Sequence, residues 1–422
     1  MKRSFTSKKI SLYGGIAPIM DYFKRIKLPD EFDALFPTIA HQARKFSLTH
    51  LMLSVIPASL SGVNRLSGIA TFTWAPLLQS TLGLVNGLNK DVISSEFKRL
   101  GQSGARLLED MFGYRVKRVL EESELQELTV DADSTVKTVY GKQEGAGKGF
   151  NPKKRGAWSY HPMIAFASEL KLVINTWFRT GQAYTSNGIV EFLKQTVNYI
   201  PEGVNIFFRA DSGFFNGKLF DYLESLNWNY LVKVKFKGLS EFLKKQQWTL
   251  FDGHSNTWVC EFSYKTQNWT KERTLKAVRQ VKKYEQREKF GRTVLVPVYQ
   301  YACYCSTLPL DVWATHEKDC ERSVSETWIE QVKSQLFAGS TLTNSFWAND
   351  MLWQPGVFSY NLSLMMRLGD EDLHKQEHRT FSNWFIKIAA EVCGRRRWPQ
   401  IRLYKYHPFR EHWEVFSDQL VA

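Results

Sequence analysis

The sequence has little cysteine and no long hydrophobic run. Its five cysteines, at positions 260, 303, 305, 320 and 393, are an odd number without CxxC spacing, which excludes a disulfide framework and a zinc ribbon. The longest apolar stretch, residues 48–63, contains a histidine, a proline and several serines, so it is too short and too polar to span a bilayer. The basic first residues are not followed by the apolar segment of a signal peptide. We therefore expect reduced thiols in a soluble, cytoplasmic protein with no membrane partner.

Acidic residues are also in short supply. The 42 Asp and Glu residues stand against 56 Lys and Arg, which gives a net charge of +14. This balance favours a polyanionic partner such as nucleic acid, although some basic proteins bind no polyanion. Hydrophobic residues make up 43% of the 422 positions, enough for two to four domains with cores of their own. The 14 tryptophans can stack on unpaired bases, but core packing is their more common use.

Two periodicities divide the chain. Apolar residues recur every three or four positions in segments 16–26, 48–60 and 97–119, which predicts a mainly helical region over residues 1–125. In this region Ser94 and Ser95 are suited to capping a helix with a basic face, either a DNA-recognition helix or an ordinary surface helix. From residue 127 onward, β-branched residues and turn signals predict the order β-β-β-α-β-α-β as far as residue 236.

That order is the layout of an RNase H-like domain, in which a mixed sheet carries helices on its faces. The fold should close with a helix after the fifth strand, but the next strong helical pattern begins only near residue 316. We therefore predict an α/β protein with five segments. They are a helical DNA-end-binding region (1–125), the first part of an RNase H-like catalytic core (126–236), a β-rich insertion (237–312), the second part of the core (313–370) and a basic C-terminal region (371–422).

Several acidic residues occupy strand positions where an isolated charge is costly. Asp131 and Asp133 are two residues apart on a predicted strand and point to the same face, where a carboxylate needs an ion pair or a cation. Asp211 follows another predicted strand, which places it at an exposed strand tip. Carboxylate oxygens suit Mg²⁺, and two such ions can activate a water or a 3′-hydroxyl and stabilise the leaving oxygen in phosphodiester chemistry. These acids therefore favour a metal-dependent phosphodiester site.

A third acid lies on a predicted helix that begins near Lys318. Arg322, Glu326 and Lys333 are separated by four and seven residues, which keeps them within roughly 40° around a regular helix. Standing alone, such a stripe is usually a salt-bridged solvent face. Beside a metal site, the two bases would instead hold flanking phosphates.

Short motifs connect these acids to a known family. They are DADST (131–135), YGKQEGA (140–146), GFNPKK (149–154), RADSGF (209–214), SFWAND (345–350) and YNL (360–362). Arg322, Glu326 and Lys333 follow the spacing of a Tyr-(2)-Arg-(3)-Glu-(6)-Lys signature, with Asp319 in the place of the tyrosine. Together these features, over roughly residues 90–367, resemble cut-and-paste DDE transposases of bacterial insertion sequences, which have an RNase H-like core.

The resemblance implies that Asp133, Asp211 and Glu326 are the catalytic metal ligands and that they hold two Mg²⁺ ions, with Mn²⁺ as a substitute. In the broader group the first catalytic Asp precedes a Ser/Thr-Thr pair, which favours Asp133 over Asp131. The supporting residues would be Asp131, Arg322 and Lys333. The implied partners are double-stranded DNA, both terminal inverted repeats and target DNA, and a second copy of the chain in a DNA-bound homodimer.

Three stretches are candidate DNA contacts. A Gly-rich loop after the first catalytic strand has six bases against one acid over residues 137–155, which suits phosphate contacts but also a plain solvated loop. Tryptophans of the insertion are candidates for stacking on an unstacked base, with core packing as an equal alternative. An acid-free C-terminal stretch combines arginines with aromatics, which also fits a packed pair of strands. The candidate residues are Lys153, Lys154, Arg155, Trp258, Trp269, Arg395, Arg396 and Arg397.

These features predict a nucleoid-associated bacterial transposase that binds terminal inverted repeats, cleaves phosphodiester bonds and transfers 3′-hydroxyl ends to target DNA. Two other functions stay open. The first is an RNase H-like, structure-selective DNA nuclease without strand transfer. The second is a domesticated DNA-binding protein that kept the fold. Loss of one acid of the triad would favour this second alternative, and all three acids are present.

Overall fold

Helices fill the first quarter of the chain, as the apolar spacing predicts. The structure, a computed structural model, describes residues 3–35, 46–289, 291–395 and 398–421. After a short strand β1 (Ile10–Ser11), the helices are α1 (Ile16–Arg25), α2 (Leu28–Leu35), α3 (Leu48–Leu60), α4 (Leu66–Phe72), α5 (Pro76–Thr81) and α6 (Lys90–Glu122). In the described part of the chain, no helix is both long and apolar enough to cross a membrane.

The expected serine cap in this region is wrong. Helix α6 begins at Lys90, and the Asn89 side chain accepts a hydrogen bond from the Asp91 amide at 3.0 Å. Asn caps a helix as well as Ser does, and here it is the residue immediately before the helix. Ser94 and Ser95 therefore lie inside the helix.

Strands dominate from residue 127 to residue 306. In order, the elements are β2 (Glu127–Ser134), β3 (Lys137–Thr138), β4 (Ser159–Tyr160), β5 (Met163–Ala167), β6 (Leu172–Trp177), α7 (Ile189–Asn198), β7 (Asn205–Ala210), α8 (Gly217–Ser225), β8 (Asn229–Lys233), α9 (Leu239–Lys244), β9 (Thr249–Leu250), β10 (Thr257–Tyr264), β11 (Arg273–Lys289) and β12 (Arg292–Ser306). A short 3-10 turn, Ser212–Phe214, follows β7.

The remaining elements are mostly helical. They are α10 (Val312–Glu321), α11 (Val324–Glu330), α12 (Phe346–Met365), α13 (Glu371–Lys375), α14 (His378–Phe381), β13 (Ala390–Arg395), β14 (Trp398–Leu403) and α15 (Arg410–Val421). The chain also forms π-helical turns at Gln331–Gln335 and Ser382–Ile386.

The elements group into two units. Unit 1 comprises residues 1–116, 137–160 and 328–422, and unit 2 comprises residues 117–136 and 161–327. Unit 2 contains one nine-stranded sheet in the order β6-β5-β2-β7-β8-β12-β11-β10-β9. Its first five strands form an antiparallel β6-β5-β2 meander followed by β7 and β8 parallel to β2. This is the RNase H-like arrangement, and the predicted fold class is confirmed.

The β-rich insertion does not form a separate sheet. Strand β12 pairs antiparallel with β8 at residues 304–306, and β11, β10 and β9 continue outward from it. The insertion therefore enlarges the core sheet at its β8 edge.

Unit 1 has its own apolar core. Helix α12 is buried over nearly its whole length, and the Phe358 ring stacks on Phe112 with centroids 3.9 Å apart. The C-terminal strands β13 and β14 pair with each other, and β13 also pairs with β1. Val392 and Ile401 pack against the core, so the packed-strand alternative for the C-terminal region describes these strands correctly.

The predicted continuous helix through Arg322, Glu326 and Lys333 is wrong. Helix α10 ends at Glu321 and α11 begins at Val324, and Lys333 lies in the π-helical turn. Two serine hydroxyls donate to backbone carbonyls at the break, Ser323 to Cys320 and Ser325 to Arg322, both at 2.8 Å. Such local bonds compete with regular helical pairing. The three residues therefore do not form the regular stripe that their spacing predicts.

Candidate active site

Asp131 is the acid of β2 whose charge is fully paired. Its side chain is almost completely buried, and Arg209 on the parallel strand β7 binds both of its oxygens, Nε to Oδ1 at 2.7 Å and Nη2 to Oδ2 at 2.8 Å. The Ser168 hydroxyl also donates to Oδ2. Burial lowers the pKa of Arg209, but the hydrogen bonds and charge of Asp131 outweigh it and the pKa is raised overall. Both oxygens of Asp131 therefore have hydrogen-bond partners, and its supporting role in the site stays a prediction.

Arg209 also connects the strand pair to the next helix. Its Nη1 donates to the Lys318 carbonyl at 3.0 Å and lies 3.3 Å from a Glu321 carboxylate oxygen, both on α10. A bidentate guanidinium fixes the relative position of its partners better than a lysine can. This residue joins β2, β7 and the helix that leads to Arg322.

Asp133, two residues further along β2, is in a different environment. Its side chain is 14% exposed, Oδ1 accepts a bond from the Ser134 amide at 2.6 Å, and Oδ2 lies 3.6 Å from Arg322 Nη1. Burial and the negative charges of Asp211 and Glu326 raise the pKa of Asp133 to about 7, although Arg322 and the Ser134 amide oppose the shift. Burial and two neighbouring acids therefore disfavour the charged form of Asp133, and Arg322 and the Ser134 amide do not offset them.

Asp211 follows the last residue of β7. In the parallel register Ala132 pairs with Ala210. The next residues, Asp133 and Asp211, therefore lie at the same end of these two neighbouring strands. The Asp211 carboxylate accepts a bond from the Gly213 amide at 2.9 Å and starts the 3-10 turn. A Cβ at Gly213 would lie 2.7 Å from Thr185 Cγ2 and 3.0 Å from Asp211 Oδ1. Glycine at this position lets the backbone approach the carboxylate.

Arg322 is buried but incompletely satisfied. It is 8% exposed, and among the described residues neither its Nε nor its Nη1 has a hydrogen-bond partner. Asp319, at the signature's tyrosine position, has an oxygen 3.9 Å from Nε, while its other oxygen accepts a bond from Lys233 at 3.2 Å. Buried polar groups are rarely left without partners, so Arg322 has two donor nitrogens that the described residues do not satisfy.

The other two signature residues belong to different units, because the boundary between unit 2 and unit 1 falls between residues 327 and 328. Glu326 is exposed in the first turn of α11 in unit 2. Lys333 belongs to unit 1, where burial lowers its pKa and the charge of Lys153 lowers it further.

His161 is a residue that the sequence did not reveal. Its Nδ1 lies 2.6 Å from the Ala183 carbonyl, and its Nε2 lies 3.2 Å from the Ser134 hydroxyl beside Asp133. Burial lowers the pKa of His161, which favours a neutral ring. In that ring the Nδ1–H donates to the Ala183 carbonyl, and Nε2 accepts from the Ser134 hydroxyl. Only the fold brings this histidine to the end of β2, so no local pattern identifies it.

The donor atoms at this edge fit a hard divalent cation. Asp133 and Asp211 offer carboxylate oxygens. A cation would favour the charged form of Asp133, whose pKa is raised by burial first and by the charges of Asp211 and Glu326 as well. Within the described ranges, no three His, Cys, Asp or Glu side chains are grouped closely enough to enclose a metal ion. Mg²⁺ keeps several waters and is usually held by one or two protein carboxylates together with substrate phosphates, so a pair of aspartates is compatible with such an ion.

The basic loop, residues 140–157 of unit 1, is exposed but well anchored. Lys153, Lys154 and Arg155 all face solvent. Below them, the buried Asn151 accepts a bond from the Lys154 amide and donates to the Thr138 hydroxyl, both at 2.9 Å. The Lys154 ammonium lies 4.8 Å from the centre of the Tyr140 ring, which is 87% exposed. The loop therefore presents cations and an aromatic ring on a fixed backbone.

The two tryptophans of the insertion differ. Trp269 is 7% exposed and packs against Phe215 and Phe220, so the structure supports the core-packing alternative for this residue. Trp258 is half-buried on β10, and Arg279 lies 4.9 Å from its ring centre. Tyr299 also contacts this ring edge-on, with ring centres 5.5 Å apart. Trp258 is the less buried of the two, and its contact with DNA stays a prediction.

Of the C-terminal arginines, Arg395 is the last residue of β13, whereas Arg396 and Arg397 lie outside the described residues.

The sequence matches a known family over nearly its whole length. The sequence profile described as "Transposase DDE domain group 1" covers residues 1–421. No curated protein is significantly similar to the chain.

The solved structures that match this chain include two transposase complexes. A piggyBac transposase in a synaptic complex with hairpin DNA is 11% identical, with 90% of this chain and 81% of that one covered and a TM-score of 0.45. The Mos1 transposase in a paired-end complex with the left transposon end is 13% identical, with 36% and 52% covered and a TM-score of 0.19.

Proposed function

Because the chain belongs to the transposase DDE domain group 1 family, we propose that it binds the terminal inverted repeats of an insertion sequence, cleaves the DNA there and transfers the 3′ ends to target DNA. One observation carries the proposal. Asp133 and Asp211 leave the same edge of an RNase H-like sheet, and Glu326 and Arg322 are near enough to change the pKa of Asp133. Phosphodiester cleavage by two metal ions needs such a concentration of carboxylates.

Asp133, Asp211 and Glu326 would hold two Mg²⁺ ions, with Mn²⁺ as a substitute. When bound, the ions supply activation of a water or a 3′-hydroxyl and stabilisation of the leaving oxygen. Arg322 would bind the phosphate next to the scissile bond, since its Nε and Nη1 lack hydrogen-bond partners within the described structure. Asp131 and Arg209 would hold β2, β7 and α10 in place while the chemistry proceeds.

The DNA partner is proposed from charge. The exposed bases of the basic loop, together with Lys333 in the same unit, provide positive charge for duplex phosphates. Trp258 and the C-terminal arginines are further candidate contacts. Cutting both ends of one element requires two active sites, so a homodimer on DNA is part of the proposal.

The test compares single alanine variants on DNA carrying the element end. We expect Asp133→Ala, Asp211→Ala and Glu326→Ala each to reduce cleavage at least about 10³-fold while leaving end binding within about twofold. Glu330→Ala, an exposed acid on α11, is the matched control and should cut normally. A triad variant that cuts at the wild-type rate would remove that residue from the site.

The same assay separates the alternatives. Product molecules joined to target DNA support a transposase, whereas cut ends that are never joined identify a nuclease without strand transfer. Specific binding without any cutting in the presence of Mg²⁺ or Mn²⁺ identifies a DNA-binding protein that has lost the chemistry.

The basic loop is tested by the salt dependence of binding. We expect Lys153→Gln/Lys154→Gln/Arg155→Gln to reduce the slope of log K against log salt by up to about 2.7, because each phosphate contact contributes about 0.9. An unchanged slope would show that the loop does not touch DNA.

A further inference from the structure

Two strands of the insertion continue beyond the sheet to which they belong. Strand β10 pairs with β11 only as far as Gln280, and β8 pairs with β12 only at residues 304–306. The Val281 amide still donates to the Asn256 carbonyl at 3.1 Å, and beyond Val281 and Tyr299 toward the tip, β11 and β12 pair only with each other among the described residues. At about 3.3 Å per residue, the segment from Val281 to Lys289 is roughly 26 Å long. We name residues 281–299 the hairpin arm.

Burial does not explain the arm. A two-stranded ribbon on its own is at best marginally stable in water. Leu295 is 66% exposed and Tyr284 is 53% exposed, so the arm's large side chains contribute little to a core. A ribbon of this length suits a contact surface for a partner.

The arm carries more basic than acidic residues. Its bases and acids are Lys282, Lys283, Arg287, Lys289 and Arg292 against Glu285 and Glu288. The side chains of Lys283 and Arg287 are 59% and 57% exposed, and they hold the Glu285 carboxylate between them at 2.7 and 3.3 Å. These contacts lower the pKa of Glu285. The acid is neutralised locally, and the arm keeps a net positive charge.

A β-bulge sets which face of the arm is basic. Val281 pairs with Tyr299 but Lys283 pairs with Val298, so Lys282 is the extra residue and the side-chain alternation shifts there. Lys283 and Arg287 therefore share a face with Val298 and Val294, away from the face of Tyr299. Bulges also increase the twist of a ribbon. The result is a twisted ribbon with a basic face on which no described residue places an aromatic ring.

This face favours duplex DNA over other partners. Binding of single strands relies on aromatic rings that stack on bases, and the basic face has valines instead. A second copy of the arm would carry the same charge and be repelled. The major groove of B-DNA is about 12 Å wide and admits a two-stranded β-ribbon. Lys283 and Arg287, four residues apart, are separated by roughly 13 Å along the strand.

We propose that the hairpin arm docks in the major groove of duplex DNA, where Lys283 and Arg287 contact phosphates on the two sides of the groove. The proposal rests on the proposed function only in that the substrate is duplex DNA. It adds a surface in unit 2 that contributes to binding and takes no part in the chemistry.

The experiment measures binding of the full-length chain to duplex and single-stranded DNA over a range of salt concentrations. We expect Lys283→Gln/Arg287→Gln to lower the slope of log K against log salt for duplex DNA by about 2, with no change for single strands. Lys194→Gln/Lys265→Gln removes two exposed charges elsewhere in unit 2 and should leave the slope unchanged. A second variant replaces residues 284–297 by Asn-Gly, which joins the directly opposed Lys283 and Val298 through a two-residue turn. It should weaken duplex binding at least as much.

Each other outcome overturns the arm proposal in a recognisable way. An unchanged duplex slope in both arm variants removes the arm from the DNA interface while leaving the transposase proposal intact. An equal loss on single strands assigns the arm to single-stranded DNA. A shift of the free protein from dimer to monomer in sedimentation, with duplex binding unchanged, assigns the arm to a second copy. Failure of the unmodified chain to bind duplex DNA overturns the proposed function itself.

Discussion

Asp131 and Asp133 stand two residues apart on one strand, yet the protein treats their charges in opposite ways. Asp131 has a bidentate arginine and a serine hydroxyl on its oxygens, whereas Asp133 is pressed by two other acids and has one arginine at 3.6 Å. In the first environment the buried charge has partners on both oxygens, and in the second burial and two acids disfavour the charged form. Crowded charge without compensation is typical of a site built to bind something, and paired charge is typical of a scaffold.

The largest effect should come from breaking the paired acid. Asp131→Ala leaves Arg209 as a buried charge without its main partner, so we expect the free energy of unfolding to fall by about 3–5 kcal/mol. Urea unfolding of Asp131→Ala and Asp133→Ala in parallel checks this. Equal free energies of unfolding for the two variants would contradict the conclusion that Asp131 and Asp133 lie in different electrostatic environments.

Replacing Asp133 should change stability in the opposite direction, that is, it should stabilise the protein. The pKa of Asp133 is raised in the folded protein, so the folded state binds a proton that the unfolded state has released between about pH 4 and pH 7, and stability falls as the pH rises through this range. Without divalent metal, we expect Asp133→Asn to stabilise the protein at pH 8 by on the order of 2–4 kcal/mol and to have little effect at pH 4. Asp252→Asn, an exposed acid of the insertion, is the control. A stability gain that does not depend on pH would contradict the titration of Asp133.

A bound divalent cation should compensate the negative charge of Asp133 and Asp211. At pH 8, Mg²⁺ at ten times its dissociation constant should stabilise the unmodified protein by about 1.4 kcal/mol, and Asp133→Asn or Asp211→Ala should lose most of that gain. Thermal melts with and without Mg²⁺ measure the effect independently of cleavage. The Asp252→Asn control should keep the full gain.

The smallest effect should come from the third contact to Asp131. Ser168→Ala removes one hydrogen bond to a carboxylate that Arg209 still holds, so we expect a loss of about 1 kcal/mol in stability and unchanged cleavage. A cleavage defect in a stable Ser168→Ala protein would show that the paired acid takes part in the chemistry as well.

Sequence patterns identified the acids more easily than their environments. Period-two alternation and the RADSGF motif place Asp133 and Asp211 at strand ends, because both signals are local. The partners of those acids are not local. Arg209 and Asp131 are 78 residues apart in the sequence and meet only because their strands pair in parallel. Strand β12 pairs with β8 over a similar sequence separation, so no spacing in the sequence reveals either contact. The helix through Arg322 was predicted as continuous because spacing records rotation per residue and does not record the hydroxyls of Ser323 and Ser325.

The outermost strand of the large sheet is very short. Strand β9 has two residues, Thr249 and Leu250, and it pairs only with Val259 and Trp258 of β10. Unpaired sheet edges invite other chains to add strands, and proteins limit this hazard with short edges and charged side chains. Past β9, the outer side of β10 carries the exposed Glu261 and Ser263. An insertion that enlarges a sheet creates a new edge strand. Here that edge is too short and too polar to pair readily with a strand of another chain, which limits aggregation.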